Sequence, residues 1–246
     1  MDQEFTLVEH LTELRKRLII VVITFLLSLG IGFSLATRIL NILKAQPTAI
    51  HVEWNVFGFT DGLMIYFKCA LIIAILITLP VLLHQTWLFV KPGLSEKESK
   101  GTFIYIPVSF LLFMLGVSFS YFILFPIMLD FMSTINQSIG AIETYGMKQY
   151  FTFMFNLIIP VGIVFEMPVI ILFLTKLGIV TPTSLRKMRK VAYFILVVVG
   201  VLISPPDFIS DFLIIIPLLL LFEISILISS WSVKRKVRLT VTEIKE

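Results

Sequence analysis

Charge is scarce in this chain. Only 15% of its 246 residues are Asp, Glu, Lys or Arg, against about 25% in a soluble globular domain. That shortage excludes a water-soluble ball, because there is too little polar surface to clothe one. Cysteine is nearly absent. Cys69 stands alone, so no disulfide can form within the chain and no thiolate metal site is expected. Histidine is limited to His10, His51 and His84, and no two share zinc or haem spacing on one helix. His84, near Pro80, reads as a satisfied membrane histidine. A phosphate-cradling glycine loop, an H-E-x-x-H pair and a G-x-S-x-G elbow are all missing. No enzyme constellation, nucleotide motor, metal or cofactor is expected. The first apolar run is long, follows a charged amphipathic segment and lacks a small-residue cleavage site, so it does not read as a cleaved signal peptide.

What the chain has instead is hydrophobicity, at 58% of residues, laid out as long apolar runs between short polar clusters. Such runs are membrane spans. Lipid offers the backbone no hydrogen bonds, so spans are helices or a closed barrel. Period-two alternation is absent, which selects helices. The fold class is therefore all-α, a polytopic membrane protein with six spans in one membrane domain: about 18–37, 63–89, 102–124, 150–177, 191–203 and 208–231, with a tail over 232–246. The fifth is short for a bilayer that needs about 20 residues, so its flanks enter the headgroups or the bilayer thins there.

Basic residues set the orientation. Of the 20 Lys and Arg residues, all but Arg38, Lys44, Lys68 and Lys148 fall in segments on one side. By the positive-inside rule that side is cytoplasmic, with both termini there, and an even number of spans follows. The formal net charge of +4 thus faces anionic lipid headgroups, not nucleic acid. Two outside loops are substantial, Arg38–Gly62 and Pro126–Gln149. Trp54, Phe57 and Phe59 suit the first to the membrane interface. Pro80, Pro107, Pro126, Pro160, Pro168 and Pro217 lie in or beside spans. Each lacks an N–H and displaces the carbonyl four residues back, so a curved, open arrangement of kinked helices is expected.

Four polar clusters remain. Thr6 and Glu9 have capping-box spacing, and Leu7, Leu11, Leu14 and Leu18 form an apolar stripe. An interfacial helix over about 6–17 should lead into the first span. On it, Glu13 and Arg17 are four apart. Glu13 either pairs with Arg17 on the surface or stands ready for a cationic partner. In the second cluster, Pro92-Gly93 ends the second span, and Ser95 and Glu98 have capping-box spacing for the third. Glu98 is a helix cap, a positioned carboxylate, or both. Glu166, beside Pro168, lies about 15 Å inside the cytoplasmic end of the fourth span. Ionised there, a carboxylate costs about 2.5–3.5 kcal/mol, so it should face a polar cavity, pair with a donor or be protonated. Glu223, nearer the cytoplasmic end of the last span, reads as structural. In the fourth cluster, Pro205-Pro206-Asp207, Asp207 can cap the final helix, with Asp211 one turn on.

These residues resemble the TatC family, the large subunit of the twin-arginine protein translocase. The likeness rests on His10-Leu-x-Glu13-Leu-Arg15-x-Arg17, Phe89-x-x-Pro92-x-Leu94 leading to Glu98, Phe165-Glu166-x-Pro168, Pro205-Pro206-Asp207 and Phe222-Glu223, in order between spans of the right polarity. Ser99 stands where relatives often carry a basic residue. The resemblance implies a concave, glove-like six-helix fold, and a role in recognising twin-arginine signal peptides on folded cargo. It implies recruitment of small single-span subunits into a multimeric complex driven by the proton-motive force. Glu13, Glu98, Arg15, Phe89, Pro92 and Leu94 would then serve the signal peptide. Glu166, Pro168, Pro205, Pro206, Asp207 and Glu223 would serve partners and transport. Two arginines each prefer a planar carboxylate partner, which suits Glu13 and Glu98. The competing reading is a proton-coupled carrier using Glu166 and Glu223. Carriers often show inverted repeats, and none is visible here.

Overall fold

The computed structural model describes residues 7–46, 54–90, 104–204 and 208–243. Pro92, Leu94, Glu98, Pro205, Pro206 and Asp207, and the capping residue Thr6, lie outside the described residues. The described chain forms α1 (Leu7–Lys44), α2 (Asp61–Val90), α3 (Tyr105–Phe119), a π-helical turn (Ser120–Leu124), α4 (Phe125–Ser138), α5 (Met147–Val164), α6 (Met167–Lys176), α7 (Pro182–Lys187), α8 (Arg189–Ile203) and α9 (Phe208–Glu243). Five stretches are long and apolar enough to cross a bilayer: Leu11–Lys44, Asp61–Val90, Tyr105–Ser138, Met147–Lys176 and Ile209–Lys234. The sixth apolar helix, α8, has 15 residues, or about 22 Å of rise. The chain is therefore an all-helical, multi-pass membrane protein.

Several boundaries differ from those read in the sequence. Helix α1 runs without a break for 38 residues, so the N-terminal amphipathic segment and the first span are one rod that continues past Thr37 to Lys44. Leu11, Leu14 and Leu18 are exposed on it. Most of the segment 126–149, expected as a loop, is the helix α4, which buries Phe125 and Met128. The prolines act unequally. Pro80, Pro160 and Pro217 sit inside continuous helices. Pro126 follows a π-helical turn in which the Phe125 N–H bonds the Ser120 carbonyl, five residues back. That wide turn accommodates a residue with no N–H to offer its i−4 carbonyl. Pro168 starts α6 after a break at Phe165-Glu166.

By its packing the chain divides into two compact units. The first comprises 1–110 and 144–153, the second 111–143 and 154–246.

In the first unit α1 and α2 run antiparallel. Ser28, Gly32, Ala36 and Leu40, spaced four apart, are buried on α1. They face Ile65, Cys69, Ala70, Ile73 and Ala74 of α2. Small residues at this spacing let two backbones approach in lipid, where packing and not hydrophobicity drives association. A Cβ on Gly32 would strike the Ala70 carbonyl. Thr37 and Tyr66 share a hydrogen bond of 2.6 Å across the pair. The outer end is tied by Trp54, which stacks on Phe151 at 5.5 Å and meets Tyr150 edge-on at 5.4 Å. Met147 N–H donates to the Asn55 carbonyl at 2.8 Å. Phe57 and Phe59 stay exposed, while Trp54 turns inward.

The second unit packs α6, α8 and α9 together. Thr175 and Ser229 share a hydrogen bond of 2.7 Å between α6 and α9. Leu196, Ile214, Leu218, Phe222 and Ile226 are buried. Helix α6 ends in a Schellman motif: Gly178 N–H bonds the Thr175 carbonyl and Ile179 N–H that of Leu174. Gly178 adopts φ 75°, the left-handed conformation that glycine enters without steric cost. Thr181 then caps α7 by accepting from Ser184 N–H at 3.2 Å.

Candidate functional site

The sequence nominated acids near the Lys- and Arg-rich end of the spans and one acid deep within them. At that basic end, Glu13 lies on α1 one turn before Arg17. Arg17 donates from Nη2 to Glu13 Oε1 at 2.6 Å and from Nε to the same oxygen at 3.2 Å. Its third nitrogen, Nη1, donates to Gln85 Oε1 on α2 at 3.0 Å. The Glu13 and Arg17 side chains keep 22% and 21% of their surface exposed. The acid is therefore held in place yet open to an incoming group. The pair with Arg17 that the spacing predicted is present, and it fixes the carboxylate without covering it. Arg15 is exposed, and Phe89 is half-buried near the end of α2. Gln85 was missed by the sequence reading. The only signal was a short polar run, His84-Gln85-Thr86, in an apolar span, one turn before Phe89.

Glu166 occupies the break between α5 and α6. Its backbone takes the N-cap position of α6, and its carbonyl accepts from Val169 and Ile170 N–H at 3.1 and 3.0 Å. The side chain is 4% exposed. Pro168 is buried at the first turn of α6, where its missing N–H costs no helical bond. The break is thus stabilised by local backbone geometry, and it delivers a carboxyl to the interior at span depth. Phe165, the preceding residue, packs on Phe119 at 5.7 Å and against Gly116.

Glu223 is engaged differently. Arg189 Nη2 donates to its Oε2 at 2.6 Å, and Tyr193 Oη donates to Oε1. Both donors belong to α8, so the acid fastens α8 to α9. At the other end of α8, Ser204 Oγ donates to Asp211 Oδ1. The same two helices are therefore latched by polar groups at both ends, with Gly200 seated against Ile215 between them.

A further polar pair lies at the outer end of the first unit. Lys148 Nζ meets Asp61 Oδ1 at 3.0 Å, and Gly58 N–H donates to Asp61 Oδ2 at 2.9 Å. No local motif connects residues so far apart, so this contact has no signature in the sequence.

Comparison with known proteins places these features in a family. Residues 9–217 match the family described as Sec-independent protein translocase protein (TatC). The chain is 50% identical over 226 residues to the Sec-independent protein translocase protein TatCy of Bacillus subtilis strain 168, covering 92% of this chain and 89% of that one. It is 44% identical to TatCd of the same organism, covering 97% of each. A crystal structure described as the twin arginine translocase receptor TatC superimposes with a TM-score of 0.80 at 38% identity, covering 92% of this chain and all of the other. Sequence and helical architecture converge on one conclusion: the chain belongs to the TatC family, the multi-spanning membrane subunit of the Sec-independent, twin-arginine protein translocase.

Proposed function

We propose that this chain is the receptor subunit of its translocase. On this reading it docks the twin-arginine signal peptides of folded precursors at a carboxylate patch on its basic, cytoplasmic face. Glu13 and Glu98 each take one arginine. Arg15 repels a misplaced cation, and Phe89, Pro92 and Leu94 complete the set that serves the signal peptide. The apolar part of the signal peptide follows the lipid-facing helices. The observation that carries the reading is the Glu13 carboxylate, positioned by Arg17 at 2.6 Å yet partly exposed. A charge-assisted hydrogen bond contributes about 1.5–3 kcal/mol, enough to discriminate and weak enough to release. The similar crystal structure is itself described as a receptor.

Glu166, set by the Pro168 break, is the attachment point for a polar residue on the helix of a small single-span subunit. Pro205, Pro206 and Asp207 serve partners and transport, and Glu223 holds α8 to α9. The chain then performs no covalent chemistry. It works in a multimeric complex whose energy comes from the proton-motive force, in a membrane with anionic headgroups on the basic side.

The test is site-specific crosslinking from positions 13 and 98 to a precursor in native membranes. A twin-arginine precursor should crosslink at both positions and its twin-lysine counterpart at neither. Equal capture of the two precursors overturns the docking patch.

A further inference from the structure

We propose that Gln85 is a positioning residue for signal-peptide recognition, holding Arg17 so that one oxygen of Glu13 stays reserved for an incoming guanidinium. The inference rests on the docking reading above.

The geometry that points to it is an unused option. A guanidinium beside a carboxylate prefers two parallel N–H···O bonds, one to each oxygen. Arg17 does not adopt that pairing. Its Nε and Nη2 both converge on Glu13 Oε1, at 3.2 and 2.6 Å. The third nitrogen is held by Gln85 at 3.0 Å. Arginine has donors only, so Gln85 must present its amide oxygen, and the orientation of that amide is fixed by the contact. Gln85 sits on α2, and Glu13 and Arg17 sit on α1. Turning the rigid guanidinium plane toward Oε2 would break the bond to α2.

Two consequences follow. First, Oε2 keeps its capacity for about two donors, on a side chain that is 22% exposed. An arriving arginine can set two nitrogens of its planar fork on that oxygen, as Arg17 does on the other. An ammonium aligns one donor at a time. Second, releasing Gln85 frees Arg17 to take both oxygens of Glu13. The internal arginine would then compete with the peptide in place of orienting its receptor.

The experiment uses the full chain in lipid nanodiscs, with a labelled twin-arginine signal peptide and its twin-lysine counterpart. The quantity read is the ratio of the two dissociation constants. Gln85→Leu keeps the volume and removes the acceptor; it should lower the ratio by about tenfold, the scale of one charge-assisted hydrogen bond. Gln85→Glu restores an acceptor for Arg17 Nη1 and should restore the ratio. Gln85→Asn withdraws the acceptor by one methylene and serves if the leucine variant does not fold; it too should lower the ratio. Glu13→Gln should lower the ratio at least as far, with Glu98 still holding one arginine. If Gln85→Leu, or Gln85→Asn in its place, keeps the parent ratio while Glu13→Gln loses it, the role of Gln85 is overturned and the docking reading stands. If Glu13→Gln keeps the parent ratio, both are overturned.

Discussion

Lys148 closes on Asp61 at 3.0 Å while the Asp61 side chain is 7% exposed and that of Lys148 is 43% exposed. The pair is asymmetric. The acid is sealed in, bound on one oxygen by Lys148 and on the other by Gly58 N–H. The lysine reaches down from the surface and can find water if released.

That asymmetry predicts unequal costs of truncation. Lys148→Met leaves the sealed-in carboxylate with Gly58 N–H alone, so it should be the costlier change, at about 3–5 kcal/mol. Asp61→Ala strands only the Gly58 N–H and a lysine that water can reach, and about 1–3 kcal/mol is expected. The double variant should cost less than the sum, because the two residues share one interaction. Thermal unfolding of the detergent-solubilised chain measures all three. Equal costs for the two single changes would contradict the asymmetry.

The small-residue seam between α1 and α2 gives a paired prediction on neighbouring glycines. Gly32→Ala drives a methyl into the Ala70 backbone, which cannot swing aside as a side chain can. The helices must separate, at about 1–3 kcal/mol. Gly30→Ala meets nothing within 4 Å and should instead stabilise α1 by about 0.5–1 kcal/mol. Opposite signs in the melting temperatures of these two variants are the expected result.

Glu166 predicts a trade between stability and transport. Burial of a carboxyl at span depth is costly, so Glu166→Leu should leave the isolated chain as stable as the parent or more so. Transport of a twin-arginine precursor should fall, and crosslinking to a single-span subunit with it. Glu166→Gln keeps a polar head of the same size and should retain more of both. A leucine variant that transports at the parent rate would show that the attachment point lies elsewhere.

Much of this architecture was legible in sequence because lipid imposes strict rules. Apolar length and the lysine–arginine asymmetry locate spans directly, and Phe165-Glu166-x-Pro168 marks a real break because the proline cannot continue the ladder upstream. What the sequence hid follows from the same rules. Hydropathy reports where lipid ends, not where a helix ends, so Arg38 to Lys44 and Pro126 to Ser138 read as loops although their backbones stay helical. Local spacing found Glu13 with Arg17, one turn apart. It could not find Gln85, Asp61 with Lys148, or Arg189 with Glu223, whose partners arrive from other helices. The Pro126 effect was visible as a perturbation but not as a π-helical turn, since the extra residue is accommodated by backbone alone.

Helix α1 contains no proline and no break from Leu7 to Lys44. Near one tip it carries Glu13, and at the other the Lys44 ammonium rests over the Trp54 ring, 5.3 Å from its centroid. A rod of this kind has no internal joint at which to absorb a tilt. A tilt imposed at one tip is therefore carried to the other, and the contacts around Trp54 must adjust to it.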